Sequence, residues 1–408
     1  MAALTIKRKT EITGKVLHLP SSKSLSNRAL ILNALSGNQS VVSNLSSARD
    51  TQLMQKLIDS PDHVIDVMDA GTTMRFLTAY FAITGKTKIM TGTDRMKQRP
   101  IALLVDALRK VGAEIRYLEQ EGFPSIEIQS FHGQKSNEVT IPGNISSQYI
   151  SALMMAGPHL PNGLKINLEG KIGSRPYIEM TIALMEQFGI KVTWEKQTIS
   201  VFKSKFQKTS YRVEPDWSAA SYWFAFVALA EKAIITLPDV QEYALQGDKA
   251  IIEIMDKLGV HSEFKNGDLI LSKKEHQSHL DWDFTDCPDL AQTVLPVCAA
   301  KNITGSFTGL ESLRIKETDR ITALQKELAK IGAEITEENG NFWKILPGKS
   351  KQASSLIIDT YHDHRMAMGL APLATLMNVQ MNDPQVVNKS YPDFWEDMKS
   401  IGFEIQAS

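Results

Sequence analysis

Five segments of this chain share one pattern: an amphipathic run ends in an apolar residue and a glycine, then turns strand-like. They read "LRKVGAEIRYL", "MEQFGIKVTW", "MDKLGVHSEF", "LAKIGAEITEE" and "MKSIGFEIQ". Their glycines, Gly112, Gly189, Gly259, Gly332 and Gly402, lie 77, 70, 73 and 70 residues apart. A helix that stops on a left-handed residue selects glycine there, because glycine adopts positive φ without a Cβ clash. Recurrence at a nearly fixed interval marks a duplicated unit. The chain is thereby confined to a repeat architecture.

A second family of segments alternates with the first. Each opens on small polar or acidic residues and continues as an almost wholly apolar run: "SSKSLSNRALILNAL", "DAGTTMRFLTAYFA", "SSQYISALMMA", "DWSAASYWFAFVALA", "PDLAQTVLPVCAA" and "DHRMAMGLAPLATL". Helices apolar on every side belong in a core, whereas the glycine-terminated ones keep a polar face for solvent. A sixth exposed helix is expected near "TQLMQKLIDSPD", where Ser60 stands in place of the glycine. Stretches such as "SIEIQ", "LKINLEG", "AIITLPDV" and "LILSK" supply strands. The unit is a mixed strand and helix element of about seventy residues, present six times. A chain of 408 residues suits two domains of roughly 200 residues, hence three copies in each.

Charge narrows the ligand. The formal net charge is −1, which argues against a protein that coats a polyanion. Yet Arg28, Arg75, Arg95, Lys97, Arg99, Arg314, Lys316, Arg320, Arg365 and Lys389 crowd the openings of the apolar helices. Helix N-termini present free N–H groups and partial positive charge, so converging mouths form an anion site. In "PSSKSLSNRALILNAL", Ser24 and Arg28 are four residues apart and share a helix face. A small, strongly anionic ligand is predicted. The only cysteines, Cys287 and Cys298, have spacing for neither a zinc site nor a disulfide framework. No signal-peptide or membrane-spanning run occurs, so a cytoplasmic protein without membrane partners is expected.

The motifs "SSKSLSNRAL", "DAGTTMRF", "RMKQRP", "SSQYISALMMA", "SRPYIEMT", "VEPDWSAASY", "RIKETDRI", "DHRMAM" and "KSYPDFW" follow one another over nearly the whole chain. In that order they resemble the 5-enolpyruvylshikimate-3-phosphate synthases. The resemblance implies an α/β fold of two lobes, each of three βαβαββ repeats with pseudo-threefold symmetry, buried helices inside and sheets outside. One lobe would hold residues 1–18 and 214–408, since the N-terminal strand joins the later repeats, and the other residues 19–213. The implied reaction moves the enolpyruvyl group of phosphoenolpyruvate to the 5-hydroxyl of shikimate 3-phosphate and releases phosphate. A monomer is expected, with no cofactor, no metal and no nucleic-acid partner.

Carried over residue by residue, the resemblance places Lys23, Gly71, Arg75, Arg95, Gln148, Arg320, Arg365 and Lys389 around phosphoenolpyruvate. It gives Lys23, Ser24, Arg28, Ser146, Ser147, Gln148, Ser174, Tyr177, Asp289, Ser312 and Lys316 to shikimate 3-phosphate. Asp289 would be the base toward the hydroxyl and Glu317 the acid or base at C3, with Lys23 catalytic and Lys23 or Lys389 as alternative proton carriers. Taken by themselves, Asp289 after Pro288 also suits a helix cap, and Glu317 a helix-dipole partner or surface ion pair.

The chain departs from the family pattern at three places. Asp69 stands where asparagine is common, Ser312 replaces an asparagine, and the segment between Asp50 and Asp69 is short. Two rivals share the repeat architecture. UDP-N-acetylglucosamine enolpyruvyl transferases carry a loop cysteine that "TGTDRMKQRP" lacks, and RNA 3′-phosphate cyclases call for a basic, aromatic-studded face.

Overall fold

The structure, a computed structural model, describes residues 3–346, 348 and 354–407. It divides into two compact units, Met1–Ser21 with Glu214–Ser408, and Ser22–Val213.

One sheet shows how the repeat is built. Strand His279–Asp283 pairs in parallel with Thr304–Thr308, which pairs antiparallel with Phe342–Leu346, which in turn pairs antiparallel with Glu334–Glu338. Helix Ala291–Ala300 makes the parallel crossover, and helix Arg320–Ala329 follows the second strand. This is a βαβαββ unit. The parallel pair needs a long connection, which the buried helix supplies, while the last two strands need only a hairpin.

The same order recurs in four other four-stranded sheets, though two of them draw on the N-terminus. Glu11–Lys15 lies parallel to Lys232–Leu237, and Ala3–Ile6 inserts between Asn378–Asn382 and Ile405–Ala407. Both N-terminal strands therefore belong with the last three repeats. The first repeat differs. It has only Val41–Ser43 paired with Ser210–Arg212, because the chain passes from helix Arg49–Ile58 directly to strand Val64–Asp66 of the next repeat. The short segment before Asp69 has removed a hairpin. Helix Arg49–Ile58 accordingly ends on Asp59 at φ −110°, while the five glycines that follow the other exposed helices all have positive φ.

Burial follows the pattern of the sequence. All thirteen residues of helix Trp217–Leu229 are buried, and this helix packs against Ala291–Ala300 and His364–Leu370 in the middle of its unit. In the other unit, Gly71–Thr84 packs against Lys23–Leu35 and Ser147–Ala156. No helix among the described residues is long and apolar enough to cross a membrane.

One contact in the first unit sets the distance between two helices. Pro296 lies inside helix Ala291–Ala300 and has no N–H to give the carbonyl one turn earlier, that of Gln292. Gly369 of the neighbouring helix sits on that carbonyl: a Cβ there would lie 2.1 Å from the Gln292 oxygen. In an exposed helix Gly→Ala stabilises by about 1 kcal/mol. Here Gly369→Ala is expected to destabilise by about 1–3 kcal/mol, the cost of overpacking. A urea unfolding midpoint at or above that of the parent would contradict this packing.

Candidate active site

In the unit formed by the N-terminal strands and the last three repeats, one buried guanidinium organises the site. Arg320 opens helix Arg320–Ala329 and is 1% exposed. Its Nε donates to Asp363 Oδ2 at 2.7 Å, its Nη2 to Glu317 Oε2 at 2.8 Å, and its Nη1 to Asp289 Oδ1 at 3.1 Å. Arg365, the second residue of helix His364–Leu370, donates through Nη2 to Asp289 Oδ2 at 2.8 Å and through Nη1 to the Tyr222 hydroxyl at 3.2 Å. Lys316 Nζ lies 3.9 Å from Asp289 Oδ1, and Lys389 Nζ lies 3.9 Å from Glu317 Oε1. The close approach at Gly369 brings the start of Arg365's helix to the turn that carries Asp289.

Electrostatics follow from burial opposed by partners. Burial disfavours charge on Arg320, but Asp363, Glu317 and Asp289 outweigh it and hold its pKa above the usual value. Burial would raise the Asp289 carboxyl, yet Arg365, Lys316 and Arg320 hold it well below the usual carboxylate range. Burial pushes the Tyr222 hydroxyl up to about 12, against the pull of Arg365. Asp289 is not a helix cap: Leu290 holds the cap position before Ala291, and both Asp289 oxygens face arginines. Glu317 pairs with a buried arginine, not a solvated one. Ser312 lies exposed in the 3-10 turn Glu311–Ile315, outside this network among the described residues.

The unit spanning Ser22–Val213 presents helix mouths. Ser22 caps helix Lys23–Leu35, accepting from Leu25 N at 3.2 Å, and Lys23 Nζ lies 3.4 Å from Asp50 Oδ2. Arg28, 2% exposed, donates to Thr181 Oγ1 at 2.7 Å, the Ser24 carbonyl at 2.9 Å and Ser151 Oγ at 3.0 Å, with its guanidinium 5.3 Å from the centre of the Phe76 ring. Burial brings its pKa down to about 10, so it stays charged at neutral pH. Ser146 caps helix Ser147–Ala156 through Gln148 N at 3.4 Å, Ser147 is buried, and Gln148 Nε2 donates to Thr72 Oγ1 at 3.0 Å. Ser174 sits at φ +52° ahead of helix Arg175–Gln187. Tyr177, in the first turn of that helix, accepts through its carbonyl from Thr181 Oγ1 at 2.8 Å.

Gly71 opens helix Gly71–Thr84 between two guanidiniums. A Cβ on it would lie 2.7 Å from Arg75 Nη1 and 2.8 Å from both Nη atoms of Arg99. Arg75 also donates to the Gly71 carbonyl at 2.9 Å and stacks over Tyr149. Arg99 is buried, whereas Arg95 lies on the short helix Asp94–Lys97, with Nη1 donating to Gln98 at 3.4 Å. At this mouth the structure gathers Arg75 and Arg99, and Arg95 lies on the short helix beside them. Asp69 just ahead of it pairs with Arg49, Nη2 to Oδ1 at 2.5 Å, so its charge is offset locally.

The buried arginines of the two units are thus treated differently. Arg320 and Arg365 have carboxylate partners, while Arg28 and Arg75 hold only neutral ones among the described residues. A buried cation without a counterion is costly unless a ligand supplies one. Hydroxyls, amide groups and guanidiniums around such a cation suit a phosphate on a polyol.

A sequence profile for EPSP synthase (3-phosphoshikimate 1-carboxyvinyltransferase) matches residues 6–60 and 55–398. The chain belongs to the EPSP synthase family. The profile match breaks at residues 55–60, where the first repeat has lost its hairpin. The 3-phosphoshikimate 1-carboxyvinyltransferase of Bacteroides fragilis is 46% identical over 393 residues, covering 96% of each chain. That of Haemophilus influenzae is 36% identical over 435 residues, covering 98% of this chain and 99% of its own. Among solved structures, an EPSP synthase of Acinetobacter baumannii matches with a TM-score of 0.77 at 21% identity and full coverage of both chains. The two-lobed architecture is that of the EPSP synthases.

Sequence reasoning passed over Asp363, Tyr222 and Asp50 as members of these clusters, and counted Arg99 among the cations at the helix mouths without assigning it to either substrate. A signal for Asp363 was present: an acid two residues before Arg365, at a helix start, both caps the helix and faces a buried arginine. Tyr222 carried none, since a tyrosine inside an apolar helix reads as packing.

The geometry at Gly71 gives a direct test. Gly71→Ala is expected to push the Arg75 and Arg99 guanidiniums apart and to raise the dissociation constant for inorganic phosphate about tenfold, one weakened charge-assisted contact. Calorimetry with an unchanged affinity would show that the two arginines do not form this anion cradle.

Proposed function

We propose that this member of the family works through the two clusters just described. The chain transfers the enolpyruvyl group of phosphoenolpyruvate to shikimate 3-phosphate in aromatic amino acid biosynthesis. We infer that it does so as a cytoplasmic monomer, with Ser24, Arg28, Ser146, Ser147, Gln148, Ser174 and Tyr177 holding shikimate 3-phosphate. The observation that carries this assignment is Arg28, buried and charged among hydroxyls, with no carboxylate of its own among the described residues. Lys316 is assigned to the acceptor, Lys23 to both substrates, and Gly71, Arg75, Arg95, Gln148, Arg320, Arg365 and Lys389 to phosphoenolpyruvate, with Arg99 added beside Gly71.

The chemistry follows from the carboxylates. The 5-hydroxyl oxygen bonds to C2 of phosphoenolpyruvate, its proton passes to the Asp289 carboxylate, and C3 takes a proton from Glu317 in its carboxylic-acid form, which the bound substrate's negative charge favours. A tetrahedral ketal phosphate results. C3 then returns a proton to Glu317, the C2–O bond to phosphate breaks, the leaving phosphate takes the proton held by Asp289, and the cations stabilise the departing charge. In the empty protein Asp289 is too strongly paired to be a good base. An anionic substrate that takes over Arg365 and Lys316 weakens those pairs and raises the carboxylate's basicity. Proton abstraction therefore waits for the substrate.

The deciding assay is phosphate release from phosphoenolpyruvate with shikimate 3-phosphate, set against UDP-N-acetylglucosamine as acceptor. Turnover is expected only with shikimate 3-phosphate, and Arg28→Ala is expected to raise KM for that substrate by at least about tenfold. Release with the sugar nucleotide alone would overturn the assignment.

A further inference from the structure

Helix Arg320–Ala329 touches the loop that carries Asp363 and Arg365 at two places. Arg320 and Glu327 are seven residues apart, two helical turns, and so share one face; each is 1% exposed. Arg320 holds Asp363, as described above. Glu327 accepts from the Tyr361 hydroxyl at 2.7 Å, from Lys330 Nζ at 2.7 Å and from the backbone N–H of Asp359 at 3.4 Å. Between these two grips the backbone takes a course that side chains disfavour: Tyr361 and His362 both lie in the left-handed region, at φ +53° and +56°. The turn is closed by Asp363 N donating to the Thr360 carbonyl at 2.9 Å. Asp363 then caps the next helix through Arg365 N at 2.9 Å.

Two consecutive left-handed residues, neither of them glycine, persist only where surrounding contacts over-determine them. The Tyr361 ring packs on the core of this unit. Burial and the Glu327 carboxylate raise the phenol's pKa, so the hydroxyl stays a donor. Asp359 is tied in as well, by Asn382 Nδ2 at 2.7 Å and Lys330 Nζ at 3.4 Å.

We propose that Glu327 and Tyr361 are positioning residues for enolpyruvyl transfer: their buried hydrogen bond holds the Asp359–Asp363 turn in its left-handed course and thereby fixes Asp363 and Arg365. This rests on the functional reading above, in which Arg320 and Arg365 face phosphoenolpyruvate. Neither Glu327 nor Tyr361 touches substrate. Loss of their bond frees the turn to relax and Arg365 moves off its line to Asp289, which weakens phosphoenolpyruvate binding and slows turnover while the contacts of Arg28 and the serines that bind the acceptor stay in place.

The test is Tyr361→Phe, which removes one oxygen and keeps the ring. It is expected to lower kcat about tenfold and raise KM for phosphoenolpyruvate about tenfold, with KM for shikimate 3-phosphate within about twofold of the parent. A general loss of stability would lower the active fraction and leave both KM values alone. Glu327→Gln, which retains an acceptor oxygen but loses the charge, is a second probe and is expected to show the same split at smaller size. Calorimetry of phosphoenolpyruvate alone with each folded variant reads the displacement without turnover, so it separates failure of this inference from failure of the acceptor assignment. Parental kcat and phosphoenolpyruvate affinity in both variants, or equal shifts of the two KM values, would overturn the proposal.

Discussion

A guanidinium at 1% exposure has to be answered by carboxylates, and Arg320 is answered by three. Asp289 comes from the turn before one buried helix, Asp363 from the start of another, and Glu317 from the approach to Arg320's own helix. Because a buried charge left without its partner costs several kcal/mol, the three segments are committed to a single arrangement around it. Arg365 and Lys316 then pair with Asp289, and Lys389 with Glu317. The site of this unit is a consequence of satisfying one buried cation.

The unit spanning Ser22–Val213 solves the opposite problem. Arg28 and Arg75 are also buried, but their partners are hydroxyls, backbone carbonyls and aromatic faces. Such partners orient a guanidinium without neutralising it, which leaves its charge available to a phosphate. On the proposed assignment the substrate is the missing counterion here, whereas around Arg320 it must compete with carboxylates already in place. The same residue type thus keeps its charge open in one cluster and shares it with carboxylates in the other.

Much of this was legible in the sequence, for identifiable reasons. The apolar and glycine-terminated helices could be told apart because burial on all sides and burial on one side leave different residue patterns, and the five glycines all take the positive φ that their placement demanded. The loss of a hairpin from the first repeat showed as a short segment and a missing glycine. Other features depend on which chain segments meet. Arg99 and Arg95 are four residues apart in one basic stretch, and only the fold turns the former onto Gly71. Nothing in the local sequence of Gly369 shows that the Gln292 carbonyl of another helix lies against it. Glu327 and Tyr361 lie 34 residues apart, with nothing local to link them.

The central claim is that Asp289 is held as a carboxylate by arginines and becomes a competent base only when substrate takes their charge. Carbon-13 NMR of the Asp289 carboxyl, assigned by its loss in Asp289→Asn, measures this directly. The account predicts a resonance that stays ionised to well below the ordinary aspartate pKa of about 3.9 in the ligand-free protein, and that shifts toward easier protonation at saturating phosphoenolpyruvate. A carboxyl that titrates at the ordinary value in the free protein, indifferent to phosphoenolpyruvate, would contradict it.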